Sequence, residues 1–231
     1  MTVAYALAWY VVFILSATVH EAAHAWAAKR GGDPTAYEGG QVSLNPWSHI
    51  KREPIGMVVI PIVTAFWIHW PFGYARTPYD AVWAHKHPRK ASLMSLAGPV
   101  ANFILLLIAV AVVKIGVIIG FFAEPYTVSL MHVVDSGVGD NLDGLVLFVS
   151  MFFTMNLILV ILNLIPLPPL DGSGIVALFL SDDVARKYKR IVSNPAFAIF
   201  GLMLAWLVFT PLFQFIFVRV INIVYWGAGF S

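Results

Sequence analysis

The sequence predicts an all-α polytopic membrane protein with about four full transmembrane helices, a re-entrant hairpin and a small β element on the cytoplasmic side. Of its 231 residues, 60% are hydrophobic and only 11% are charged, whereas a soluble core of this size needs a polar shell. We expect residues 1–231 to form a single membrane-embedded domain. Four apolar runs have the length of a bilayer crossing, and they occupy residues 3–28, 92–122, 144–165 and 196–226.

The composition also narrows the classes of function. The chain has no Cys, which excludes disulfides, thiolate metal sites and Cys nucleophiles. A net charge of +2 offers no argument for nucleic-acid binding, and we predict no nucleic-acid partner. The first apolar run continues into His and Glu without a small-residue cleavage site, so we expect a retained span and not a removed signal peptide.

The basic residues indicate how the chain is oriented. Lys and Arg flank the short apolar segment 54–70 on both sides, at positions 29, 30, 51 and 52 and at positions 76, 86, 89 and 90. Both flanks are therefore predicted to be cytoplasmic, and the segment is predicted to be a re-entrant hairpin returning through residues 71–76. The alternative is an ordinary span followed by a basic outside loop. Re-entrant backbone at membrane depth requires a protein or water-filled cavity around it.

The remaining loops complete this topology. Alternation over residues 41–44 predicts the small β element in the polar segment 33–53. Residues 123–143 carry acidic residues without Lys or Arg, as expected for an outside loop, and Arg186, Lys187, Lys189 and Arg190 mark the cytoplasmic side again. Both termini are then predicted to lie outside a cell membrane, with the inner end of the first span on the cytoplasmic side.

The first run contains the sequence H-E-A-A-H at residues 20–24. On a helix, His20 and His24 project from one face and can share a Zn²⁺ ion, while Glu21 lies beside the open position of the metal. Ionisable groups are costly inside a span and indicate function by default. The alternative interpretation is a polar patch that only packs helices.

A catalytic zinc ion usually has three protein ligands and one open position. Within the apolar runs and their ends, Glu21 and Asp171 are the only carboxylates. Glu21 adjoins a ligand and is better used as a base, so Asp171 is predicted to be the third ligand. The prolines at 166, 168 and 169 end the preceding helix and leave Asp171 on irregular backbone that can turn toward the metal.

Four motifs resemble those of the site-2 protease family of intramembrane metalloproteases. They occur in the family's order over about three quarters of the chain: H-E-A-A-H at 20–24, S-L-N-P-W-S-H at 43–49, H-P-R-K at 87–90 leading to A-G-P-V-A-N at 97–102, and N-L-I-P-L-P-P-L-D-G at 163–172. The chain resembles the short members without PDZ or CBS modules. Its F-G-Y-A-R-T-P at 72–78 departs from the more Pro- and Val-rich hairpin of the family.

The resemblance implies a zinc metalloendopeptidase that performs regulated intramembrane proteolysis on transmembrane protein substrates in the lipid bilayer. It implies that His20, His24 and Asp171 bind zinc, that Glu21 is the catalytic carboxylate, and that Asn163 helps to hold the substrate or transition state. For Asn163, an interhelical hydrogen bond is the alternative interpretation. Family members typically cut membrane-tethered regulators or signal-peptide remnants.

A substrate helix must be locally unwound before hydrolysis, because its amides are hydrogen-bonded internally. We expect either residues 41–44 or the hairpin at 71–78 to capture the unwound segment by edge pairing.

Another class of function remains open, namely a non-proteolytic metal-binding membrane protein or metal carrier. Glu21 argues against it, because a binder needs ligands but no adjacent base. The nearly unbroken apolar character of the third and last spans also argues against a polar transport path. A zinc peptidase with Glu as its third ligand is a further alternative, but no Glu lies late enough in an apolar context.

Overall fold

The computed structural model describes residues 3–67, 71–139, 142–226 and 229–230. Two short strands, β1 (Phe122–Ala123) and β2 (Asp135–Ser136), pair antiparallel between the second and third long helices. The helices in chain order are α1 (Val3–Gly31), α2 (Thr35–Glu38), α3 (Pro46–Ile50), a π-helical turn (Ile55–Val59) leading into α4 (Ile60–Trp67), α5 (Ala81–Lys86), α6 (Pro88–Ile118), α7 (Asp143–Leu164), α8 (Asp171–Ile175) followed by a 3₁₀ turn (Val176–Phe179), α9 (Asp182–Val192) and α10 (Pro195–Val224).

Among the described residues, α1, α6, α7 and α10 are long and apolar enough to cross a bilayer. The prediction of an all-α polytopic membrane protein with four spans is therefore confirmed. Local signals explain where these helices begin. At α10, for example, the Asn194 side chain accepts a hydrogen bond from the Ala196 N–H at 3.0 Å, and Pro195 occupies the first helical position.

The predicted β element at residues 41–44 is wrong. The polar segment after α1 instead contains the short helices α2 and α3, and α3 begins where Asn45 accepts a hydrogen bond from the Trp47 N–H at 3.0 Å. Pro46 at the first helical position reinforces this start. No strand lies beside residues 41–44 in the described chain, so their alternation has no partner with which to form a ladder.

The segment from the π-helical turn to α5 doubles back on itself. The Phe72 N–H donates to the Thr64 Oγ1 at 2.8 Å, and the Tyr74 N–H donates to the Gly56 carbonyl at 3.0 Å. The returning chain therefore runs alongside the helix that it has just left, as the re-entrant interpretation requires. Residues 68–70, which complete the predicted hairpin, lie outside the described residues.

The buried Asp33 carboxylate fixes the far end of this hairpin to α1. It accepts hydrogen bonds from the Thr35 N–H at 3.0 Å, from the Thr35 hydroxyl at 2.6 Å and from the Asp80 N–H at 2.8 Å. Burial by itself raises a carboxyl pKa, but these three donors outweigh burial and hold the pKa of Asp33 below its usual range. The charged form therefore predominates at neutral pH and keeps the return segment close to α1.

The long helices pack around two apolar clusters. One joins α1 to α7 and includes Trp9, Phe13, Met151 and Met155. The other lies between α6, α7 and α10 and includes Val113, Phe153, Leu157, Phe213 and Ile221. α1 thus packs between α6, α7 and the hairpin, and this position brings its His-Glu-His sequence into the interior of the bundle.

Candidate metal centre

The structure brings together four of the five residues that the sequence singles out. His20, Glu21 and His24 are buried on α1, and Asp171 opens α8. The two imidazole Nε2 atoms are 2.9 Å apart, and Asp171 Oδ2 lies 3.0 Å from that of His20 and 3.2 Å from that of His24. A carboxylate oxygen of Glu21 is within 4.8 Å of the imidazole nitrogens.

The backbone after α7 explains how Asp171 reaches the histidines. α7 ends at Leu164, and the proline-rich stretch that follows cannot continue it. Gly172 then packs against the end of α7, where a Cβ atom would come within 2.7 Å of the Leu164 carbonyl oxygen. The chain therefore folds back tightly at this point, and Asp171 faces α1 and not the lipid.

The hydrogen bonds of the two imidazoles define their tautomers. His24 Nδ1 lies 2.7 Å from the Met94 carbonyl oxygen, which can only accept, so Nδ1 carries the proton. His20 Nδ1 lies 2.6 Å from Asn102 Oδ1, and the amide group of Asn102 is turned toward two other oxygens. In neutral imidazoles with protonated Nδ1, each Nε2 presents a lone pair.

With both imidazoles neutral, three electron-pair donors face one another, namely the Nε2 atoms of His20 and His24 and Oδ2 of Asp171. Asp171 Oδ2 is buried and accepts no hydrogen bond from the described chain. One proton could relieve one of the three contacts, whereas a metal cation bound by all three atoms relieves every one. Tetrahedral zinc ligands at about 2.0–2.2 Å from the ion are separated by about 3.3 Å, which is close to the spacing here. The residues present therefore fit a zinc ion.

Gly98 of α6 provides the space for such an ion. A Cβ atom on Gly98 would lie 2.6 Å from His20 Nε2 and would also collide with His24 Nε2. Only glycine lets the α6 backbone approach the imidazoles while leaving the region in front of both nitrogens free. The missing side chain of Gly98 therefore faces the Nε2 atoms of both imidazoles.

Behind the imidazoles lies a polar network that the sequence did not predict. The Asn102 amide donates to Asn156 Oδ1 at 3.0 Å and to the Ser16 carbonyl at 3.3 Å, while the Asn156 amide donates to the Ser16 hydroxyl at 3.1 Å. All three residues are buried. The network links α1, α6 and α7 and fixes the Asn102 oxygen toward His20. Two Asn residues within apolar runs were the sequence signal for it.

The two remaining functional candidates differ in their surroundings. The Glu21 carboxylate accepts a hydrogen bond from the Thr77 hydroxyl at 2.7 Å, a contact that the sequence did not predict. Asn163 is separate from the network, since its amide donates to the Leu159 carbonyl of its own helix at 3.1 Å. No hydrogen bond joins Asn163 to the histidines or to Asp171 within the described residues, and its role stays a prediction.

Comparison with known proteins identifies the family. A sequence model described as Peptidase family M50 matches residues 8–208. The chain belongs to this family. Membership confirms the predicted site-2 protease resemblance and the prediction that this M50 protein is a metalloprotease. No solved structure matches the chain.

Two relatives of this M50 peptidase carry names that mention zinc. One is a candidate zinc metalloprotease, YwhC, of Bacillus subtilis (strain 168), 33% identical over 79% of this chain and 74% of the relative. The other is a candidate zinc metalloprotease, Rip2, of Mycolicibacterium smegmatis, 27% identical over 75% of this chain and 58% of the relative. Both names agree with the predicted cofactor and with the fit of the three donor atoms.

Replacing Gly98 with Ala is expected to abolish stable zinc binding, because the added methyl group occupies the space in front of both imidazoles. Zinc content after dialysis of the purified protein is the measurement. Gly144→Ala is the matched control, since a Cβ atom at that helical glycine meets no atom within 4 Å. Full zinc retention in Gly98→Ala would contradict the assignment of this space.

Replacing Asn102 with Ala is expected to weaken zinc binding by about 10- to 100-fold, because the outer hydrogen bond of a ligating imidazole fixes its orientation. Asn156→Ala removes a group one hydrogen bond farther away and should have a smaller effect. Competition with a chelator of known affinity measures both. Equal losses in the two variants would indicate general loosening of the helices and not orientation of His20.

Proposed function

We propose that this M50 peptidase is an intramembrane zinc endopeptidase that hydrolyses peptide bonds in or near transmembrane segments of membrane proteins. The observation that carries the proposal is the convergence of His20, His24 and Asp171 beside the Glu21 carboxylate, within helices of membrane-spanning length. A site at that depth is accessible to peptide bonds that soluble proteases cannot reach.

In the proposed reaction, His20, His24 and Asp171 hold the zinc ion. Zinc in such a site supplies a Lewis acid for the scissile carbonyl and acidifies the attacking water. Glu21 accepts the proton of that water and delivers it to the leaving amine. Asn163, on the last turn of α7, is proposed to hold the substrate, and its Oδ1 atom accepts no hydrogen bond from the described chain.

Substrate capture is proposed to involve the return segment of the hairpin, residues 71–80. This segment contains no helix or strand, and its backbone lies close to Glu21 through Thr77. The N–H groups of Ala75 and Arg76 donate no hydrogen bond within the described part of the chain. An unwound substrate segment could therefore pair with this edge. Residues 41–44 form no strand and lie between the short helices α2 and α3, so they are not proposed as the capture site.

The active site is proposed to face the cytoplasm from a plasma membrane. The basic residues that end α1 and begin α6 support this orientation, since both helix ends lie near the site and Gly31 packs beside Lys90. Arg89 also pairs with Asp182 of α9 at 3.6 Å, so the basic helix α9 lies at the same end of the bundle. Membrane-tethered regulatory proteins are the proposed substrates.

Glu21→Gln is expected to lower cleavage of single-span test substrates by at least about 100-fold, because general-base catalysis contributes that much or more. Zinc content should be unchanged, since the ligands remain. The comparison uses purified protein in lipid vesicles with zinc measured in both forms. Equal cleavage by both forms would contradict the role of Glu21, and bound zinc without cleavage of any substrate would favour a metal carrier.

Arg76→Pro is expected to reduce cleavage severalfold or more while zinc stays bound, because proline removes one backbone donor from the capturing edge. Arg76→Ala keeps that N–H and serves as the matched control for loss of the exposed side chain. Initial rates on one transmembrane substrate provide the comparison. Unchanged cleavage by Arg76→Pro would remove the hairpin edge from the mechanism.

A further inference from the structure

The Thr77 hydroxyl lies against Glu21 at two points. Its Oγ1 atom is 2.7 Å from Glu21 Oε2 and 3.0 Å from the Glu21 backbone carbonyl oxygen. A hydroxyl has one proton to donate, and the shorter distance and the charge of the acceptor both favour the carboxylate. Thr77 therefore directs its proton at the side chain to which the proposed reaction assigns the base.

No other described group donates a hydrogen bond to the Glu21 carboxylate. The Glu21 side chain is buried, with 6% of its surface exposed, and Thr77 is its only hydrogen-bond donor among the described residues. A buried carboxylate without a donor is strongly disfavoured and its orientation is poorly fixed. The hydrogen bond to Oε2 also leaves the other carboxylate oxygen available to accept a proton.

The position of Thr77 is itself firmly held. On one side of it, the Tyr74 N–H donates to Gly56, and on the other, the Asp80 N–H donates to Asp33. These two anchors hold the return segment across the face of α1 that carries Glu21. The hydroxyl thus reaches Glu21 from a segment anchored at both ends, and not from a free loop.

We infer that Thr77 is a positioning residue for Glu21 and that it couples the hairpin to the catalytic base. The inference rests on the proposed function, because it takes Glu21 as the base. One segment then serves two purposes: its backbone amides are proposed to pair with the substrate, and its Thr77 hydroxyl fixes the carboxylate. A substrate strand that pairs with this segment is thereby aligned with the base.

The contact can be tested by cysteine labelling, without any peptidase assay. The chain has no Cys of its own, so maleimide labels only a Cys that is introduced. Ala75→Cys places a thiol at a half-buried position that packs against the α1 cluster, so maleimide labels it when the hairpin lifts. In this background, Thr77→Val and Glu21→Ala should each accelerate labelling about 10- to 150-fold, as expected for loss of a hydrogen bond to a charged group. The double variant should be no faster than the faster single variant. Multiplicative acceleration would overturn the inference.

The kinetic test compares three variants on one transmembrane substrate. Thr77→Val should lower kcat by about 10- to 100-fold, the cost of a misplaced catalytic group, with KM and zinc content unchanged. Thr77→Ser keeps the hydroxyl and should restore kcat. Thr64→Val is the matched control, because it removes the acceptor of the Phe72 N–H and loosens the same hairpin without touching Glu21. It should raise KM and leave kcat unchanged.

Two results would overturn the inference: an unchanged kcat in Thr77→Val, or an equal loss of kcat in Thr64→Val. Failure of the proposed function gives a different pattern. In that case the wild-type protein cleaves no transmembrane substrate, and maleimide labelling in the Ala75→Cys background still reports whether Thr77 and Glu21 are coupled.

Discussion

The site depends on the hydrogen bonds that hold three electron-pair donors within 3.2 Å of one another. Met94 and Asn102 accept from the Nδ1 atoms of the two imidazoles, and both acceptors belong to α6. The rings on α1 are therefore oriented from a neighbouring helix, and their Nε2 atoms are forced toward Asp171. Without a cation this arrangement is electrostatically unfavourable, so the helix packing itself creates affinity for a metal ion.

The bilayer explains why the polar groups near this site are linked to one another. In hydrocarbon each unpaired polar group is costly, and Ser16, Asn102 and Asn156 satisfy one another across three helices. The hairpin is the opposite case, because the Ala75 and Arg76 amides of its return segment donate no hydrogen bond within the described part of the chain. Such backbone requires a wet cavity or an extended peptide next to it, and hydrolysis within a membrane requires both water and an extended substrate.

The sequence predicted the spans well because bilayer thickness sets their length, and the predicted run at 92–122 lies within four residues of the helix at both ends. Spacing and charge also sufficed to group His20, His24 and Asp171. The partners of Asn102 and Thr77 could not be predicted, because His20 is 82 residues from Asn102 and Glu21 is 56 residues from Thr77. The prediction of a β element at residues 41–44 failed because four alternating residues form a strand only beside a partner strand.

The order of the metal-binding atoms along the chain has a consequence for biosynthesis. Two of them lie on the first helix, whereas the third is residue 171 of 231 and follows α7. A growing polypeptide that has inserted only α1 and α6 contains both imidazoles, their α6 acceptors and Glu21, but not the Asp171 carboxylate. The complete donor set arises only after three of the four spans have been synthesised. Until Asp171 has been made, the two imidazoles therefore lack the carboxylate that completes the donor set.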